Sequence, residues 1–390
     1  MNIKHFIYTL VFLFTFISCE KEEDSNPPYT VHDAEFHRAL LELFDTDNDD
    51  ELSTEEANIV KEIDFNGRAF YCTSFQDLEK FPNLEKLSLQ SFHGFETLDL
   101  TQNPKLKILS IKETGAKLNL SKNTELEELY YTNCTNVKTI DLSNNPKLRI
   151  LDCSNNSEFK SLDLQHNPEL VELNISNLLL DNFNLGDKPE LLIVDVRKTG
   201  FSEFMLNLSS APKLKTLLFE ESDGMPLTLD VRSTSIEELI IPSNILNINA
   251  KGCKYLKFIS CSSLASFVDV SESGIEEISY APIKIEYDAL GPGEEFDPSK
   301  FHAVDPWADP SPVLLMNNCP NLKEFYYYQE ITRDNWEEQG KIPDHMGRIR
   351  IDISNCESLI KFSANHVAEL KIDNCPALKE FSCKGSYNQP

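Results

Sequence analysis

The sequence has few of the residues that phosphate-binding and nucleic-acid-binding proteins need. Only 13 of its 390 residues are glycine, and neither a GxxxxGK(S/T) nor a GxGxxG motif occurs, which argues against a phosphate-binding loop. Lysine and arginine number 36 against 64 aspartates and glutamates, so the net charge is −28 and the surface would repel nucleic acid. We therefore expect no nucleic-acid partner.

Signatures of catalysis are also missing. The eight histidines are scattered, and no HExxH, GxSxG or CxxC motif is present. Acidic residues are abundant, but abundance alone does not place two carboxylates at a reacting bond. The hydrophobic content of 41% is enough for a packed core, and the length suits either two or three ordinary domains or one elongated repeat domain. We expect a folded protein that is not an enzyme.

The N-terminus has the organisation of a secretory signal. The polar segment Met1–His5 precedes an almost entirely apolar run, Phe6–Ser18, which is too short to span a bilayer as a helix but suits a signal peptide. No later segment reaches 18 apolar residues. The run ends at Ser18-Cys19, followed by the acidic cluster Glu20–Asp24 and then by Pro27-Pro28.

The junction at Cys19 resembles a bacterial lipobox, although Phe16 is bulkier than the residue usual there. The resemblance implies a lipoprotein signal peptide at residues 1–18, an acyl chain on Cys19 and an acidic tether at residues 19–30. The acidic cluster is similar to the export signal of Bacteroidetes surface lipoproteins. It implies a lipid-anchored protein of the bacterial outer membrane that faces the cell exterior. The alternative is an ordinary cleaved signal with an incidental cysteine.

Residues 31–66 contain an acidic loop between two stretches with helical periodicity, 31–44 and 54–63. The loop spacing resembles the EF-hand calcium site, and the resemblance implies a bound calcium ion (Ca2+). Position six of the loop, where the backbone needs positive φ, is Asp50 instead of glycine, which weakens the site without excluding it. The alternative is an acidic helix N-terminus rich in capping residues. The implied ligands are Asp45, Asp47, Asp49, Glu51 through its carbonyl, Ser53 through water, and Glu56.

The remaining chain is a repeat of short leucine-rich segments. Successive LxL segments from Leu98 to Leu227 begin 20, 22, 22, 21, 23 and 21 residues apart, and each unit carries a second LxxLxφ run, where φ is apolar. A fixed period of this kind predicts a solenoid, since one unit cannot bury its apolar edge alone. Phe159–Asn167 matches the LxxLxLxxN signature in full, so residues 80–383 resemble the leucine-rich repeat family. The predicted fold is a strand-rich α/β repeat solenoid with a small helical, EF-hand-like N-terminal cap.

Asparagine and cysteine recur at one phase of this repeat. Asn103, Asn145 and Asn167 each precede a proline, and an inward amide there can bond the backbone of neighbouring coils. Eight cysteines are expected to be core and turn residues, with disulfides or a metal site as the alternative. They are Cys134, Cys153, Cys253, Cys261, Cys319, Cys356, Cys375 and Cys383.

The outward residues form two stripes along the predicted solenoid. The LxL stripe is acidic (Asp99, Asp141, Asp163 and Asp352), for which solvation of a repeated strand is the simpler interpretation. The second stripe varies along the chain, as a recognition surface does. Two inserts, at about 280–312 and 329–348, interrupt the register. Candidate ligand contacts in or beside the inserts are Trp307, Tyr326, Tyr328 and Trp336, with packing on the solenoid as the alternative.

These features predict a non-catalytic surface protein that binds a protein or glycan. Two alternatives remain open at this stage. One is a purely structural envelope protein, and the other is a polysaccharide-acting β-solenoid enzyme, which the leucine and asparagine phase disfavours.

Overall fold

A computed structural model describes residues 33–67, 70–71, 74–93, 96–201, 205–219, 227–241, 245–262, 267–281, 313–327, 349–365 and 367–384. The predicted signal peptide and tether, and nearly all of both inserts, lie outside these residues. The same holds for four of the predicted site residues, namely Cys19, Trp307, Tyr328 and Trp336.

Two short helices and one 3-10 helix form the N-terminal part: α1 (Ala34–Phe44), α2 (Thr54–Ile59) and the 3-10 helix Gln76–Lys80. The carboxylate of Asp33 begins α1 by accepting hydrogen bonds from the backbone N–H groups of Glu35 and Phe36. Phe36 is fully buried, and its ring makes edge contacts with Phe65 and Phe75 at centroid distances of 5.8 and 4.6 Å. Helix α1 therefore covers the first coil of the solenoid.

Short strands are the main regular secondary structure of the described chain. In order they are β1 (Glu62–Phe65), β2 (Phe70–Tyr71), β3 (Lys86–Gln90), β4 (Phe92–His93), β5 (Thr97–Asp99), β6 (Ile108–Lys112), β7 (Lys117–Asn119), β8 (Glu128–Thr132), β9 (Ile150–Asp152), β10 (Ser161–Asp163), β11 (Glu172–Asn174), β12 (Leu179–Leu180), β13 (Asn182–Asn184), β14 (Ile193–Asp195) and β15 (Gly200–Phe201). They continue with β16 (Met205–Asn207), β17 (Thr216–Leu218), β18 (Leu227–Asp230), β19 (Glu238–Ile240), β20 (Ile245–Asn249), β21 (Phe258–Ser262), β22 (Phe267–Asp269), β23 (Glu277–Ala281), β24 (Val313–Leu315), β25 (Glu324–Tyr327), β26 (Ile349–Ser354), β27 (Lys361–Asn365), β28 (Val367–Asp373) and β29 (Glu380–Lys384).

The strands stack coil upon coil into parallel sheets. The LxxLxφ runs form an eight-stranded sheet, β1-β3-β6-β8-β9-β11-β14-β17, and a six-stranded sheet, β19-β21-β23-β25-β27-β29. The later LxL runs form a seven-stranded sheet, β16-β18-β20-β22-β24-β26-β28, and the earlier strands add two-stranded sheets, β2-β4, β5-β7, β10-β13 and β12-β15. This is the predicted leucine-rich, strand-rich parallel solenoid with a small helical N-terminal part.

The inward side chains stack in register along each sheet. In the eight-stranded sheet one column of aliphatic side chains pairs position by position, and each is at most 1% exposed. Burying one such side chain contributes roughly 1.5–3 kcal/mol, which a single coil could not obtain without its neighbours. The column consists of Leu87, Leu109, Leu129, Leu151, Leu173 and Val194.

The solenoid begins earlier than the sequence suggested. The repeats were expected to start at about residue 80, and β1 already pairs with β3 before that point, with Ile63 beside Leu87. The second helix of the hand ends at Ile59, short of the expected residue 63. The reason is tertiary, since the short run Glu62–Phe65 is a strand only because β3 lies beside it.

Asparagine side chains bond successive coils together in the turns that follow the first LxL runs, as predicted. We call Asn103, Asn123, Asn145 and Asn167 the asparagine column; all four are fully buried. Each Nδ2 donates to two backbone carbonyls, and for Asn145 these are Leu120 at 3.2 Å and Asn123 at 2.9 Å. These carbonyls also accept a backbone N–H within their own coil, so each amide adds a second hydrogen bond, and this bond joins one coil to the next.

A lysine follows the asparagine column at the same position of the next coil. Lys188 is fully buried, and its Nζ donates to the Leu164 carbonyl at 2.8 Å and to the Asp187 carbonyl at 3.3 Å. Burial lowers its pKa to about 8. The only sign of this replacement in the sequence is Lys188-Pro189, where three earlier coils have Asn-Pro.

The cysteines lie where the repeat phase predicts, and the eight described cysteines are all free thiols. Cys319 and Cys356 occupy the turn position of the asparagine column in later coils, where their Sγ atoms contact the carbonyls of Val270 at 3.2 Å and Met316 at 3.0 Å. Six of the eight are buried, and only Cys375 and Cys383 are partly exposed. These thiols act as small core and turn residues.

Candidate functional site

The loop between α1 and α2 has a backbone suited to converging carboxylates. Asn48 and Asp50 adopt positive φ, 59° and 64°, and Asp50 stands at loop position six as expected. The Asp45 carboxylate supports this turn by accepting hydrogen bonds from the backbone N–H groups of Asn48 at 2.7 Å and Asp50 at 3.1 Å. The chain therefore holds the turn that the sequence assigned to position six, although no glycine is present there.

Three predicted ligand residues lie together in this loop. Asp45, Asp47 and Asp49 each offer an oxygen within 4.8 Å of the others, and they are the one such group of acidic, histidine or cysteine side chains in the described part of the chain. Partial desolvation, with the neighbouring carboxylates of Asp49 and Glu56, raises the pKa of Asp47. A donor set of carboxylate oxygens with uncompensated negative charge fits a hard divalent cation.

The carboxylate of Glu56 is hydrogen-bonded to Thr46 and Ser53 in this structure. Its Oε1 accepts from the backbone N–H of Thr46 at 2.5 Å and from the Thr46 hydroxyl at 2.7 Å. Its Oε2 accepts from the N–H and hydroxyl of Ser53 at 3.0 and 2.9 Å, so Ser53 and Glu56 form a capping box at the start of α2. These bonds hold the Glu56 pKa at about 2. Glu56 thus joins the two ends of the loop.

The acidic LxL stripe is occupied by turn formation. The carboxylates of Asp99, Asp141 and Asp163 each accept a hydrogen bond at 3.0 Å from the backbone N–H two residues later. Asp352 instead lies 3.0 Å from Lys371 Nζ. Solvation alone was therefore an incomplete interpretation of this stripe, because most of these aspartates also end their strands. The sequence feature that indicates this role is an Asp or Asn placed two residues before the backbone N–H that it bonds.

The second stripe divides into two parts. In β9, β11 and β14 its polar residues Asp152, Asn174 and Asp195 likewise accept from the N–H two residues on. At β17 and β19 the corresponding residues are apolar and exposed, Leu218 by 38% and Ile240 by 66%. The sequence showed this change of chemistry, but not that the two residues flank a cavity of about 530 Å³.

Of the four aromatic ligand candidates, the structure describes Tyr326. Its ring is 37% exposed on β25, its hydroxyl donates to Glu324 at 2.6 Å, and Lys361 Nζ lies 5.5 Å from the ring centroid. The other three candidates lie outside the described residues, so Tyr326 is the one predicted aromatic contact whose surroundings the structure describes.

No helix in the described ranges is both long and apolar enough to cross a membrane. No protein-family model matches the sequence, and no curated protein matches it either.

Three solved structures of bacterial proteins are distantly similar to this chain. The functional domain of InlJ from Listeria monocytogenes, which includes a cysteine ladder, is 18% identical over 85% of this chain and 69% of that one, with a TM-score of 0.40. An internalin, inlF, from the same species is 12% identical over 65% of this chain and 91% of that one, with a TM-score of 0.32. A leucine-rich repeat protein of Leptospira interrogans is 11% identical over 84% and 97%, with a TM-score of 0.30. The fold itself rests on the strand pairing and inward leucines described above.

Proposed function

We propose that this protein is a non-catalytic, cell-surface binding protein that recognises another protein through the outward face of its LxxLxφ strands. The observation that carries the proposal is the contrast between the two sides of these strands. The inward positions repeat Leu, Ile or Val almost without change, while the outward positions run from polar residues to the exposed Leu218 and Ile240. A constant core with a variable, exposed face is the arrangement that repeat proteins use for recognition.

A glycan ligand is the second candidate. The support is Tyr326, whose exposed ring and neighbouring Glu324 and Lys361 combine a stacking surface with hydrogen-bonding groups. Protein and glycan arrays probed with the purified chain separate the two. Loss of a protein signal in Leu218→Ser with Ile240→Ser supports the first candidate, and loss of a glycan signal in Tyr326→Ala supports the second. If neither array gives a saturable signal, a purely structural envelope role is favoured instead.

The proposal includes a lipid anchor on Cys19, an outer-membrane location and exposure to the exterior. Its support is the sequence of the first 24 residues, in which a short apolar run ends at Ser18-Cys19 and an acidic cluster follows. Metabolic labelling with an alkyne fatty acid should mark the wild type and leave Cys19→Ala unlabelled. Protease treatment of intact cells should remove the protein only if it faces outwards.

We further propose that the α1–α2 loop binds one calcium ion in a structural role. Asp45, Asp47 and Asp49 would hold the ion, with the Glu51 carbonyl, Ser53 through water, and Glu56 completing the donor set. For Glu56 to contribute, its carboxylate would have to exchange part of its bonding to Thr46 and Ser53. A site of this kind outside the cell would have a dissociation constant on the order of 10⁻⁴–10⁻³ M.

The enzyme alternative predicts release of reducing sugar from polysaccharide by the purified protein. The aspartates Asp99, Asp141 and Asp163 of the LxL stripe are committed to turns, and the Ser143 hydroxyl that donates to Asp141 belongs to the same turn. Sugar release above that of a heat-denatured control would overturn the non-catalytic proposal.

A further inference from the structure

We infer that the break between β17 and β19 binds an extended segment of a partner protein, which adds to the open strand edges as an extra strand. The inference rests on the proposed binding function and names the partner's local chemistry. The segment would carry a small apolar side chain at its centre, a basic residue near the start of β19 and an acidic residue near the end of β14.

The LxxLxφ sheet is interrupted at this point while the opposite sheet continues. Strand β17 ends the eight-stranded sheet, β19 begins the six-stranded one, and no ladder joins the two among the described strands. On the LxL side of the same coils β16, β18 and β20 pair without a break. The two coils are therefore hydrogen-bonded as strands on the LxL side but not on the LxxLxφ side, although the Ser235 hydroxyl donates to the Pro212 carbonyl at 2.7 Å just before these strands.

The backbone hydrogen bonds of β17 show which of its groups face the break. Thr216 N–H donates to the Leu192 carbonyl at 3.1 Å and the Leu218 carbonyl accepts from Val196 N–H at 3.0 Å, so both residues face β14. Because backbone groups alternate along a strand, the N–H and C=O of Leu217 face the break.

The same reasoning applies to β19. The Glu237 carbonyl accepts from Lys257 N–H, and Ile241 N–H donates to the Ser260 carbonyl, each at 2.8 Å, so these residues face β21. The N–H and C=O groups of Glu238 and Ile240 therefore face β17. Within the described part of the chain, two parallel strand edges without a ladder partner face each other, which is the kind of surface that β-strand addition uses.

Apolar surface is concentrated at the same place. The cavity of about 530 Å³ is lined by Leu217, Leu218, Phe219 and Ile240 among others. Over the six preceding strands of the sheet the outward position of Leu218 is polar. The residues there are Ser88, Ser110, Tyr130, Asp152, Asn174 and Asp195.

Charged residues at the two ends of the cavity indicate which side chains the ends of the bound segment would carry. Glu237, Glu238 and Glu276 lie around Lys257 at the start of β19, with Lys257 Nζ 3.0 Å from Glu237, and Lys215 lines the β17 side of the cavity. Acidic groups outnumber basic ones at this end, which favours a basic residue of the partner there. Arg197, just after β14, lines the other end of the cavity and holds Asp195 at 2.6 Å. An acidic residue of the partner would add a second carboxylate to this guanidinium.

The test uses the full-length protein in detergent and two fluorescein-labelled peptides, Lys-Val-Thr-Val-Asp and its reverse, to cover both strand directions. We expect one of them to bind saturably below about 1 mM. A copy with N-methylated valines, which keeps the side chains but loses backbone donors, should bind at least about tenfold more weakly.

Protein variants separate backbone from side-chain recognition. Ile240→Pro removes an N–H that faces the break and not the β19–β21 ladder, so it should weaken binding about tenfold, and Ile240→Ala should weaken it less. If the proline variant misfolds, the double variant Leu218→Ser with Ile240→Ser replaces it and should also weaken binding. The matched control is Asn174→Ser in the unbroken sheet, which should bind the peptide like the wild type.

Three results would overturn the inference. In the first, the N-methylated peptide binds as well as its parent. In the second, neither peptide binds at about 1 mM while an array ligand still binds, and this second result leaves the proposed function intact. In the third, sedimentation would show a concentration-dependent dimer that Ile240→Pro abolishes, which assigns the edges to a second copy of the chain.

Discussion

Lys188 Nζ donates a 2.8 Å hydrogen bond to the backbone carbonyl of Leu164, in the position where the four preceding coils place an asparagine amide. The side chain is fully buried and its hydrogen-bond partners are backbone carbonyls, while the carboxylates of Asp187 and Asp163 offset only part of the cost of burial. Burial disfavours the charged form, which is why the Lys188 pKa falls to about 8.

This amine should make stability depend on pH. Between about pH 8 and 10.5 the unfolded chain keeps the proton on Lys188 while the folded protein releases it, so the free energy of unfolding from this site rises with pH. The rise should be on the order of 2 kcal/mol. Urea denaturation at several pH values gives the free energy of unfolding as a function of pH. The contribution of Lys188 is the difference between the slopes of this dependence for the wild type and for Lys188→Met. Lys213→Met, at an exposed lysine, is the control, and an equal slope in Lys188→Met would contradict the prediction.

The asparagine column should be a main source of cohesion between the N-terminal coils. Asn145→Ala removes two donors and leaves the buried carbonyls of Leu120 and Asn123 without their side-chain partner. We expect a loss of about 2–4 kcal/mol in the free energy of unfolding, measured by urea denaturation. The neighbouring exposed Asn144→Ala should change it by less than about 0.5 kcal/mol. Similar losses in both variants would show that the column does not carry this role.

The acidic LxL stripe should act through hydrogen bonds and not through its charge. Asp141 accepts from the backbone N–H and the hydroxyl of Ser143, and these bonds lower the Asp141 pKa. Asp141→Asn keeps an acceptor and should be nearly neutral at pH 7, while Asp141→Ala should cost about 0.5–1 kcal/mol. Since the folded pKa is depressed, the wild-type advantage over Asp141→Ala should vanish as the pH falls below the ordinary aspartate value. Equal stability of the two variants at pH 7 would remove the turn-forming role.

Calcium should stabilise the N-terminal hand. Millimolar calcium should raise the thermal midpoint of the wild type, since the ion binds the folded loop and not the unfolded chain. Asp47→Asn and Glu56→Gln should reduce or abolish the shift. Asp64→Asn, which makes the same charge change outside the loop and keeps an acceptor for Asn66 N–H, is the control. Absence of any shift in the wild type, or an undiminished shift in Asp47→Asn, would reject the site.

Much of the fold follows from local sequence periodicity. The spacing of the LxL and LxxLxφ runs determined which side chains face inward, because a strand alternates its faces and every coil repeats the same need for burial. The turn asparagines, the core cysteines and the positive φ of Asp50 were likewise visible in the residues themselves. The same periodicity could not show that Glu62–Phe65 already belongs to the first coil.

Tertiary structure alone decided the features that depend on how neighbouring coils are aligned. Whether Leu218 and Ile240 pair across a ladder or flank a cavity depends on the distance between two coils, which no local pattern encodes. The burial of Lys188 and the commitment of the stripe aspartates to backbone N–H groups are also set by geometry, since a polar side chain in a sequence does not reveal which group it will bond. The sequence thus specified the repeating unit, and the stacking of those units decided where the repetition fails.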